Sequence, residues 1–311
     1  MIVALAGGVG GAKLADGLAQ IAHEDLTVIV NTADDFEHYG LHISPDLDTV
    51  VYTLAGLANP ETGWGLKNES WNMLDQLGRS GGEVWFKLGD RDMATHLVRT
   101  QRLRHGDRLT DVMRDLRVRL GVRAAILPMT DARVGTIVRT AAGALPFQEY
   151  FVGRRCEPVV TGFHFDGIER ATVPAEVRAV LAAKPPAAIL IGPSNPYVSV
   201  DPILAVPGLR DLLKDAGVPI IALSPIIGGT AVKGPAAKMM RELGQTVSSV
   251  AIARHYAPLI AGLVIDRGDT AEIPAIEALG VKVFATDTLM RDAADRRRVA
   301  QECLSFAATL A

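Results

Sequence analysis

The chain has 311 residues, of which 49% are hydrophobic and 22% charged, so it can bury a large core as one domain or a domain with an insertion. A net charge of −3 argues against a nucleic-acid binder, and two distant cysteines without a CxxC or histidine pattern argue against a disulfide framework or zinc site. No apolar stretch is long enough to span a membrane, and the first residues lack a signal peptide's basic region. We therefore expect a soluble cytoplasmic protein that binds neither nucleic acid nor membrane.

The first 30 residues predict a strand, a helix and a second strand. Ile2–Ala6 is a short apolar run, and residues 12–21 carry apolar side chains at helical spacing. Leu26–Val30 is another apolar run, rich in β-branched residues, which favours a strand. This pattern is typical of a βαβ unit with parallel strands.

The same rhythm returns in the second half of the chain. Apolar runs at 187–191, 218–223, 262–265 and 281–285 predict further buried strands, most of them followed by helical stretches. The region 59–170 is less regular and predicts helices at 90–102 and 111–120, so we expect a mostly helical insertion or cap there. The resulting prediction is one α/β domain over 1–311, a Rossmann-like, doubly wound, mostly parallel sheet with helices on both faces.

The glycine-rich stretch "GGVGGAK" follows the first strand and suggests an anion site. It matches neither the dinucleotide fingerprint nor the Walker loop in detail, because Lys13 and Ala12 stand where those motifs need glycine. Glycines before a helix still let backbone N–H groups approach a phosphate, so we predict phosphate binding by Gly8, Gly10, Gly11 and Lys13. The alternative is a tight strand-to-helix turn without a ligand.

Carboxylates are concentrated after the second strand. The segment from Asn31 onward carries Asp34, Asp35, Asp46 and Asp48, and ligands in open parallel sheets bind beyond the carboxyl ends of strands. Such oxygen ligands beside a phosphate site suit Mg²⁺. The alternative for any single residue is a turn former or helix cap, as Asp46 after Pro45 would be.

Three later stretches add candidates. In "LGDRDMATHLVRT" we expect Asp90 or Asp92 as the helix N-cap, with Arg91 directed at a ligand. In "AILIGPSNPYVSVDPIL" a strand leads into Ser194 and Asn195, which prolines hold rigidly. "KGPAAK" offers lysines at a helix N-terminus, of which Lys233 is our candidate for anion binding, although solvent exposure is the default for a lysine.

These motifs, with "NTADD", "SPDLDTVVYTLAG", "ILPMTD" and "CEPVVTGFHFDG", together resemble the 2-phospho-L-lactate transferases (CofD-like) of deazaflavin coenzyme F-420 biosynthesis. The resemblance covers nearly the whole chain. It implies a Rossmann-like fold and a Mg²⁺-dependent transfer of a phospho-acid from its guanosine diphosphate conjugate to the deazaflavin Fo, with release of GMP and formation of F-420-0 or its dehydro form. The acid is left open among 2-phospho-L-lactate, phosphoenolpyruvate and 3-phosphoglycerate.

The resemblance also implies residue roles. Asp48 and Arg91 match positions that bind Fo, and the aspartates of "NTADD" and "SPDLD" lie near the metal and the reacting phosphate. The glycine-rich stretch, "GPSNP" and "KGPAAK" match parts of the guanosine nucleotide site. We expect Asp48 and Asp35 to be the catalytic residues and the metal ligands, with Asp48 on the Fo side and Asp35 on the metal side.

Two other function classes compete with this hypothesis. An NAD(P) oxidoreductase would need a proper G-x-G-x-x-G, which the chain lacks. A non-catalytic regulator that binds guanine nucleotides or sugar nucleotides would share the fold but would have no use for an acceptor pocket. The oligomeric state stays open, two-fold homodimers being common among soluble enzymes of this kind.

Overall fold

A computed structural model describes residues 1–183 and 185–311. Its strands are β1 (Ile2–Ala6), β2 (Leu26–Val30), β3 (Phe36–His38), β4 (Leu41–Ile43), β5 (Ala125–Pro128), β6 (Gly135–Thr140), β7 (Gly143–Pro146), β8 (Val160–Asp166), β9 (Ala188–Ile191), β10 (Ile220–Leu223), β11 (Ile226–Ile227), β12 (Thr230–Ala231), β13 (Gly262–Asp266) and β14 (Lys282–Thr286). Its α-helices are α1 (Gly8–Ala22), α2 (Pro45–Leu54), α3 (Asn72–Arg79), α4 (Asp90–Arg104), α5 (Leu109–Arg119), α6 (Ala175–Ala183), α7 (Asp201–Ala205), α8 (Leu209–Asp215), α9 (Ala236–Glu242), α10 (Ser249–Tyr256), α11 (Ile273–Glu277) and α12 (Ala293–Ala308).

A seven-stranded parallel sheet in the order β14-β13-β10-β9-β1-β2-β5 forms the centre. From β1 the chain first adds β2 and β5 on one side and then returns to add β9, β10, β13 and β14 on the other. The order therefore reverses between β1 and β9, which is where a doubly wound sheet opens a crevice for ligands. This confirms the predicted Rossmann-like fold.

Helices cover both faces of the sheet because its central strands are buried on both sides. All five residues of β1 and of β2 are buried. One core contains side chains of α1, α2, α5 and α12, and the other contains side chains of α6 to α11. Each of these ten helices contributes apolar side chains to one of the two cores, as the α/β layer arrangement requires.

The region 59–170, expected to be a mostly helical insertion, has a different composition. It contains α3, α4 and α5, but it also contains β5, which pairs in parallel with β2 as an edge strand of the central sheet. A three-stranded antiparallel sheet, β7-β6-β8, follows and packs Val138 and Val160 into one of the main cores. Much of this region is therefore part of the main sheet and core.

The other predicted boundaries shift by a few residues, with one difference that bears on function. α1 begins at Gly8 rather than at residue 12, so the glycines form its first turn instead of a loop before it. Within the described residues, no helix has the length and apolar character needed to cross a membrane.

Candidate functional site

The site lies at the carboxyl edge of the sheet, on both sides of the reversal in strand order. β1 leads into Gly7 and α1, β2 leads into the segment from Asn31, and β9 leads into the loop with Ser194. The Asn31 amide donates a hydrogen bond to the Ala6 carbonyl, and the Gly192 amide donates to Leu5. The three strand ends are thus held together by backbone bonds.

The glycines of α1 are explained by contacts within the protein. A Cβ on Gly10 would lie 2.3 Å from the Pro193 carbonyl oxygen, and a Cβ on Gly11 would lie 2.7 Å from Ser194 Oγ. Ser194 Oγ in turn donates to the Gly7 carbonyl at 2.7 Å. Glycine is therefore required here so that α1 can approach the loop after β9 closely, a reason that the sequence did not reveal.

The N-terminus of α1 holds a carboxylate from the same chain. Gly8, at φ +59°, donates its amide to Asp46 Oδ1 at 2.7 Å. Asp46 Oδ2 accepts from Asn31 Nδ2 at 2.9 Å. An anion at this position is favoured by the helix dipole, and here Asp46 supplies it. Phosphate binding by Gly8, Gly10 and Gly11 stays a prediction, in which a phosphate would have to share this end of the helix with Asp46.

Asp46 and Asp34 form a buried pair of like charges. Burial, with the nearby charge of Asp35, raises the pKa of Asp46 to about 6 despite hydrogen bonds from Asn31 and Gly8. Burial and the charge of Asp46 raise the pKa of Asp34 well above its usual range. Two carboxylates held together away from water favour retention of a proton between them.

Asp35, next in the chain, is anchored through one carboxylate oxygen only. Oδ2 accepts from Ser44 Oγ at 2.7 Å and lies 3.1 Å from His42 Nε2. Burial raises its pKa despite these contacts. In the part of the chain that the structure describes, its Oδ1 is buried without a hydrogen-bond partner.

In the 32–35 segment and in β6, three more buried oxygens have no partner among the described residues: Thr32 Oγ1, Asp34 Oδ1 and Thr136 Oγ1. The Thr136 amide donates to the Ala33 carbonyl at 2.7 Å, which holds the start of β6 against the 32–35 segment. Buried polar atoms are normally satisfied, and unpaired ones in a native fold call for a ligand or water. A set of hard oxygen atoms that includes carboxylates suits Mg²⁺, so these residues fit the expected metal.

Asp48, the other expected metal ligand, has different surroundings. Arg99 donates through Nη1 to Asp48 Oδ2 at 3.0 Å and through Nη2 to Oδ1. Asp48, Asp92 and His96 form a group of metal-ligating atoms within 4.8 Å of one another. The Arg99 guanidinium already neutralises Asp48, which weakens the attraction of this group for a cation.

The N-terminus of α4 differs from the predicted capping. Gly89 is the N-cap, and the carboxylate of Glu69 accepts from the amides of Arg91 at 2.8 Å and Asp92 at 3.0 Å. Asp90 instead accepts from the Met73 amide at 2.9 Å and so caps α3. The predicted caps were wrong because the cap comes from more than twenty positions away, which local sequence patterns cannot show.

Arg91 lies beside a small aromatic pocket. Its backbone is held by Glu69, and Nη1 donates to the Lys67 carbonyl at 3.1 Å. Trp64 and Trp71, both substantially exposed, line the pocket together with Leu66, Glu69, Gly89 and Asp92. Asp92 also belongs to the group around Asp48, so the pocket, Arg91 and Asp48 lie on one side of the site.

The predicted nucleotide-side residues have the following contacts. Lys13 Nζ donates to the Met290 carbonyl at 2.7 Å, and burial together with the charges of Arg296 and Lys233 lowers the pKa of Lys13. Lys233 Nζ contacts the Thr62 carbonyl at 3.3 Å. The two lysines thus form a cationic patch beside α1, and their ammonium groups bind backbone carbonyls. Such a patch can attract a phosphate.

Asn195 caps the following π-helical turn, Pro196–Val200, by accepting from the Tyr197 amide at 3.0 Å. This contact and those of Ser194 with Gly7 give both residues structural roles. Their predicted nucleotide contacts stay predictions.

Comparison with known proteins decides the family. The family model for the 2-phospho-L-lactate transferase CofD matches residues 2–298. The chain belongs to the CofD family. It is 40% identical over 301 residues to the 2-phospho-L-lactate transferase of Methanosarcina mazei, covering 96% of this chain and 98% of that one. It is 41% identical over 314 residues to the phosphoenolpyruvate transferase of Streptomyces griseus, covering 98% of each chain.

A solved structure supports the CofD fold. A UPF0052 family member from Bacillus halodurans aligns with a TM-score of 0.64 at 16% identity, covering 97% of this chain and 99% of that one. At this identity the likeness concerns the fold alone. The sequence resemblance and the predicted architecture are thereby confirmed.

Glu69, His96 and Arg99 are among the residues of this site that sequence reasoning missed. The last two had a detectable signal, since Asp92, His96 and Arg99 recur at i, i+4 and i+7, the spacing of one helix face. This spacing places the three side chains on one face, but charged residues at this spacing usually form a solvent-exposed face, so their burial is visible only in the structure. Glu69 had no comparable signal.

Proposed function

We propose that this CofD-family transferase moves a phospho-acid from its guanosine diphosphate conjugate to the ribityl hydroxyl of Fo, releasing GMP and forming F-420-0 or its dehydro form. The proposal is supported by two observations: buried oxygens without partners on Thr32, Asp34 and Asp35 beyond the carboxyl end of β2, and a pocket lined by two indole rings and Asp92. A diphosphate with its cation needs the oxygens, and a flat ring system needs apolar walls.

Asp35 and Asp34 are the residues that would hold Mg²⁺. When bound, the cation would supply positive charge that neutralises the diphosphate and the departing GMP. Ser44 and His42 hold Asp35 Oδ2, which leaves Oδ1 directed away from these contacts. On this side of the site, the protein would hold the two carboxylates in a buried position where they can bind the cation.

Asp48 would act on the acceptor side. Its carboxylate is fixed by Arg99 and adjoins Asp92, which lines the aromatic pocket. The ribityl hydroxyl of Fo would be oriented there for in-line attack on phosphorus, while Trp64, Trp71 and Arg91 hold the ring. Lys13 and Lys233 would bind the phosphates of the guanosine nucleotide.

The donor acid is a choice between close analogues. The relatives named above are a 2-phospho-L-lactate transferase and a phosphoenolpyruvate transferase, at 40% and 41% identity. These acids differ by small groups, which a few side chains distinguish. The chain is almost equally similar to the two relatives, so an experiment must identify the acid that it transfers.

Purified protein should be incubated with Fo, Mg²⁺ and each of the three guanylylated acids in turn, with GMP and the deazaflavin product both followed by mass spectrometry. Product from one donor identifies the reaction and the acid together. A matched reaction with EDTA in place of Mg²⁺ should give no product. Absence of product with every donor, while GDP still binds, would reject the transfer and favour a nucleotide-binding regulator.

A further inference from the structure

The polar face of α4 is buried against α2, a position in which apolar side chains would be expected. Asp92, His96 and Arg99 follow one another at i, i+4 and i+7, and this face packs against Asp48 and Tyr52 of α2. His96 and Arg99 are each only 1% exposed. Burying ionised groups is costly unless their partners are well placed, and replacing such a group by apolar residues is often stabilising. The stripe therefore needs an explanation other than stability.

Arg99 holds Asp48 in a single orientation. Its two terminal nitrogens bind the two carboxylate oxygens, Nη1 to Oδ2 at 3.0 Å and Nη2 to Oδ1. This two-point contact fixes both the position and the rotation of the carboxylate. A lysine could neutralise the charge but could not hold both oxygens.

His96 fixes Arg99 in turn, and its tautomer follows from the geometry. Arg99 Nη1 lies 3.3 Å from His96 Nδ1, and because a guanidinium can only donate, Nδ1 must accept. The imidazole proton is therefore assigned to Nε2, which lies 3.3 Å from Asp92 Oδ2 but makes no hydrogen bond within the described residues. Nδ1 also lies 3.8 Å from Asp48 Oδ2. The Tyr52 hydroxyl donates to Asp92 Oδ1 at 2.7 Å. In the described chain, Arg99 Nε has no hydrogen-bond partner, so the contacts that hold Arg99 are those of its two terminal nitrogens.

We propose that Arg99 is a positioning residue for the transfer: packed against His96 and bound to both carboxylate oxygens of Asp48, it fixes Asp48 in the orientation that the acceptor hydroxyl requires. This inference rests on the proposed function, in which Asp48 is the residue on the acceptor side. Arg99 acts through Asp48, so its substitution should change the kinetic parameters for the acceptor Fo and leave those for the nucleotide donor unchanged.

A double-mutant cycle tests this coupling. Arg99→Met should lower kcat/KM for Fo at least 100-fold and leave the KM of the guanylylated donor within about twofold. In an Asp48→Asn background, the same change should cost less than about threefold, because there is no carboxylate left to orient. Arg99→Lys should recover only a small part of the loss. Arg102→Met, on the same helix but at an exposed ion pair with Asp107 and Asp115, is the matched control and should retain full activity.

Two outcomes would overturn the proposal. In one, Arg99→Met lowers kcat/KM for Fo by the same factor in the unmodified protein and in the Asp48→Asn background. The other is nearly full rescue by Arg99→Lys. Arg99→Met leaves a buried carboxylate unpaired, so calorimetric binding of GDP serves as the check of folding. If that variant does not fold, Arg99→Lys and the double variant, in which the carboxylate is gone, decide the question.

A readout independent of turnover is the tautomer of His96. Nitrogen-15 NMR of the histidine side chains should show an unprotonated Nδ1 on His96 that accepts from Arg99, and Arg99→Met should shift the Nδ1 signal. A proton on Nδ1, or on both nitrogens, in the unmodified protein would reject the proposed arrangement. Failure of the proposed function can be distinguished from failure of this inference. If the proposed function is wrong, the unmodified protein gives no product from Fo, and the NMR result still tests the arrangement of His96 and Arg99.

Discussion

The two segments that follow the first two strands of the sheet are built in opposite ways. After β1, the glycines of α1 are matched closely by the protein, since the Gly8 amide binds Asp46 and Gly10 and Gly11 are covered by the loop after β9. After β2, the 32–35 segment is equally buried but leaves the oxygens of Thr32, Asp34 and Asp35 without partners in the described chain. The polar groups of the first segment are bound by the protein, whereas some of those in the second segment are not.

This difference shows that a motif's appearance and its need for a ligand are separate matters. The glycine-rich stretch looks like a phosphate site, yet its contacts account for its glycines. The aspartate segment could have been a set of turn formers, yet its unpaired oxygens call for a ligand. Substitutions in the 32–35 segment should therefore change activity, and substitutions of the α1 glycines should change stability.

The largest effect is expected from Asp35→Asn. Removing this carboxylate should lower turnover by roughly 10²–10³-fold, the scale for losing one preorganised electrostatic contact. The Mg²⁺ concentration needed for half-maximal activity should rise in parallel, which a titration of initial rates measures. Asp166→Asn, at an exposed carboxylate, is the control. Turnover close to that of the unmodified protein would remove Asp35 from the metal side.

Gly10→Ala should act on stability instead. A methyl group 2.3 Å from the Pro193 carbonyl forces α1 away from its neighbour, at a cost of about 1–3 kcal/mol in the free energy of unfolding. Urea denaturation measures this, and Gly135→Ala, where a Cβ meets open space, is the matched control. Unchanged stability with lost GDP binding would restore the phosphate hypothesis for this segment.

Asp34→Asn should change how stability depends on pH. The raised pKa of Asp34 means that the folded chain binds its proton more tightly, so its contribution to stability is present at low pH and is lost as pH rises through the raised folded-state value. For the neighbouring Asp46 the corresponding window runs from about pH 4 to about 6. In EDTA, the unmodified protein should lose stability as the pH rises above about 4, and Asp34→Asn should flatten that decline and be the more stable of the two at the upper end of the pH range.

Urea midpoints at several pH values test this expectation. Asp25→Asn, at an exposed position, should leave the pH profile unchanged. A steeper decline in Asp34→Asn than in the unmodified protein would contradict the buried pair of like charges.

The smallest effect is expected from Lys233→Met. Loss of one exposed phosphate contact should raise the KM of the guanylylated donor roughly fivefold to tenfold, about 1 kcal/mol, and leave the KM of Fo unchanged. Steady-state kinetics at two salt concentrations check this, since the effect should shrink as salt rises. Lys214→Met is the control at another exposed lysine. A larger effect on Fo than on the donor would move Lys233 out of the nucleotide side.

Much of the fold could be predicted because buried parallel strands are readable locally. The apolar runs of β1, β2, β9, β10, β13 and β14 and the helical periods between them identify the doubly wound sheet. β5 was missed because a run of four residues ending in Pro128 gives little local signal, and it becomes a strand through pairing with β2. The antiparallel strands of the same region, β6, β7 and β8, depend in the same way on their partners.

The sequence by itself determined the fold class, the family and the concentration of carboxylates beyond the second strand, because these depend on local periodicity and on residues close together in the chain. Only the tertiary structure decided which of them have partners. Ser194 is 187 positions from Gly7, and Arg99 is 51 positions from Asp48. Hydrogen bonds and close packing act over a few ångströms in space regardless of separation along the chain, so satisfied and unsatisfied groups can be told apart only once the chain has folded.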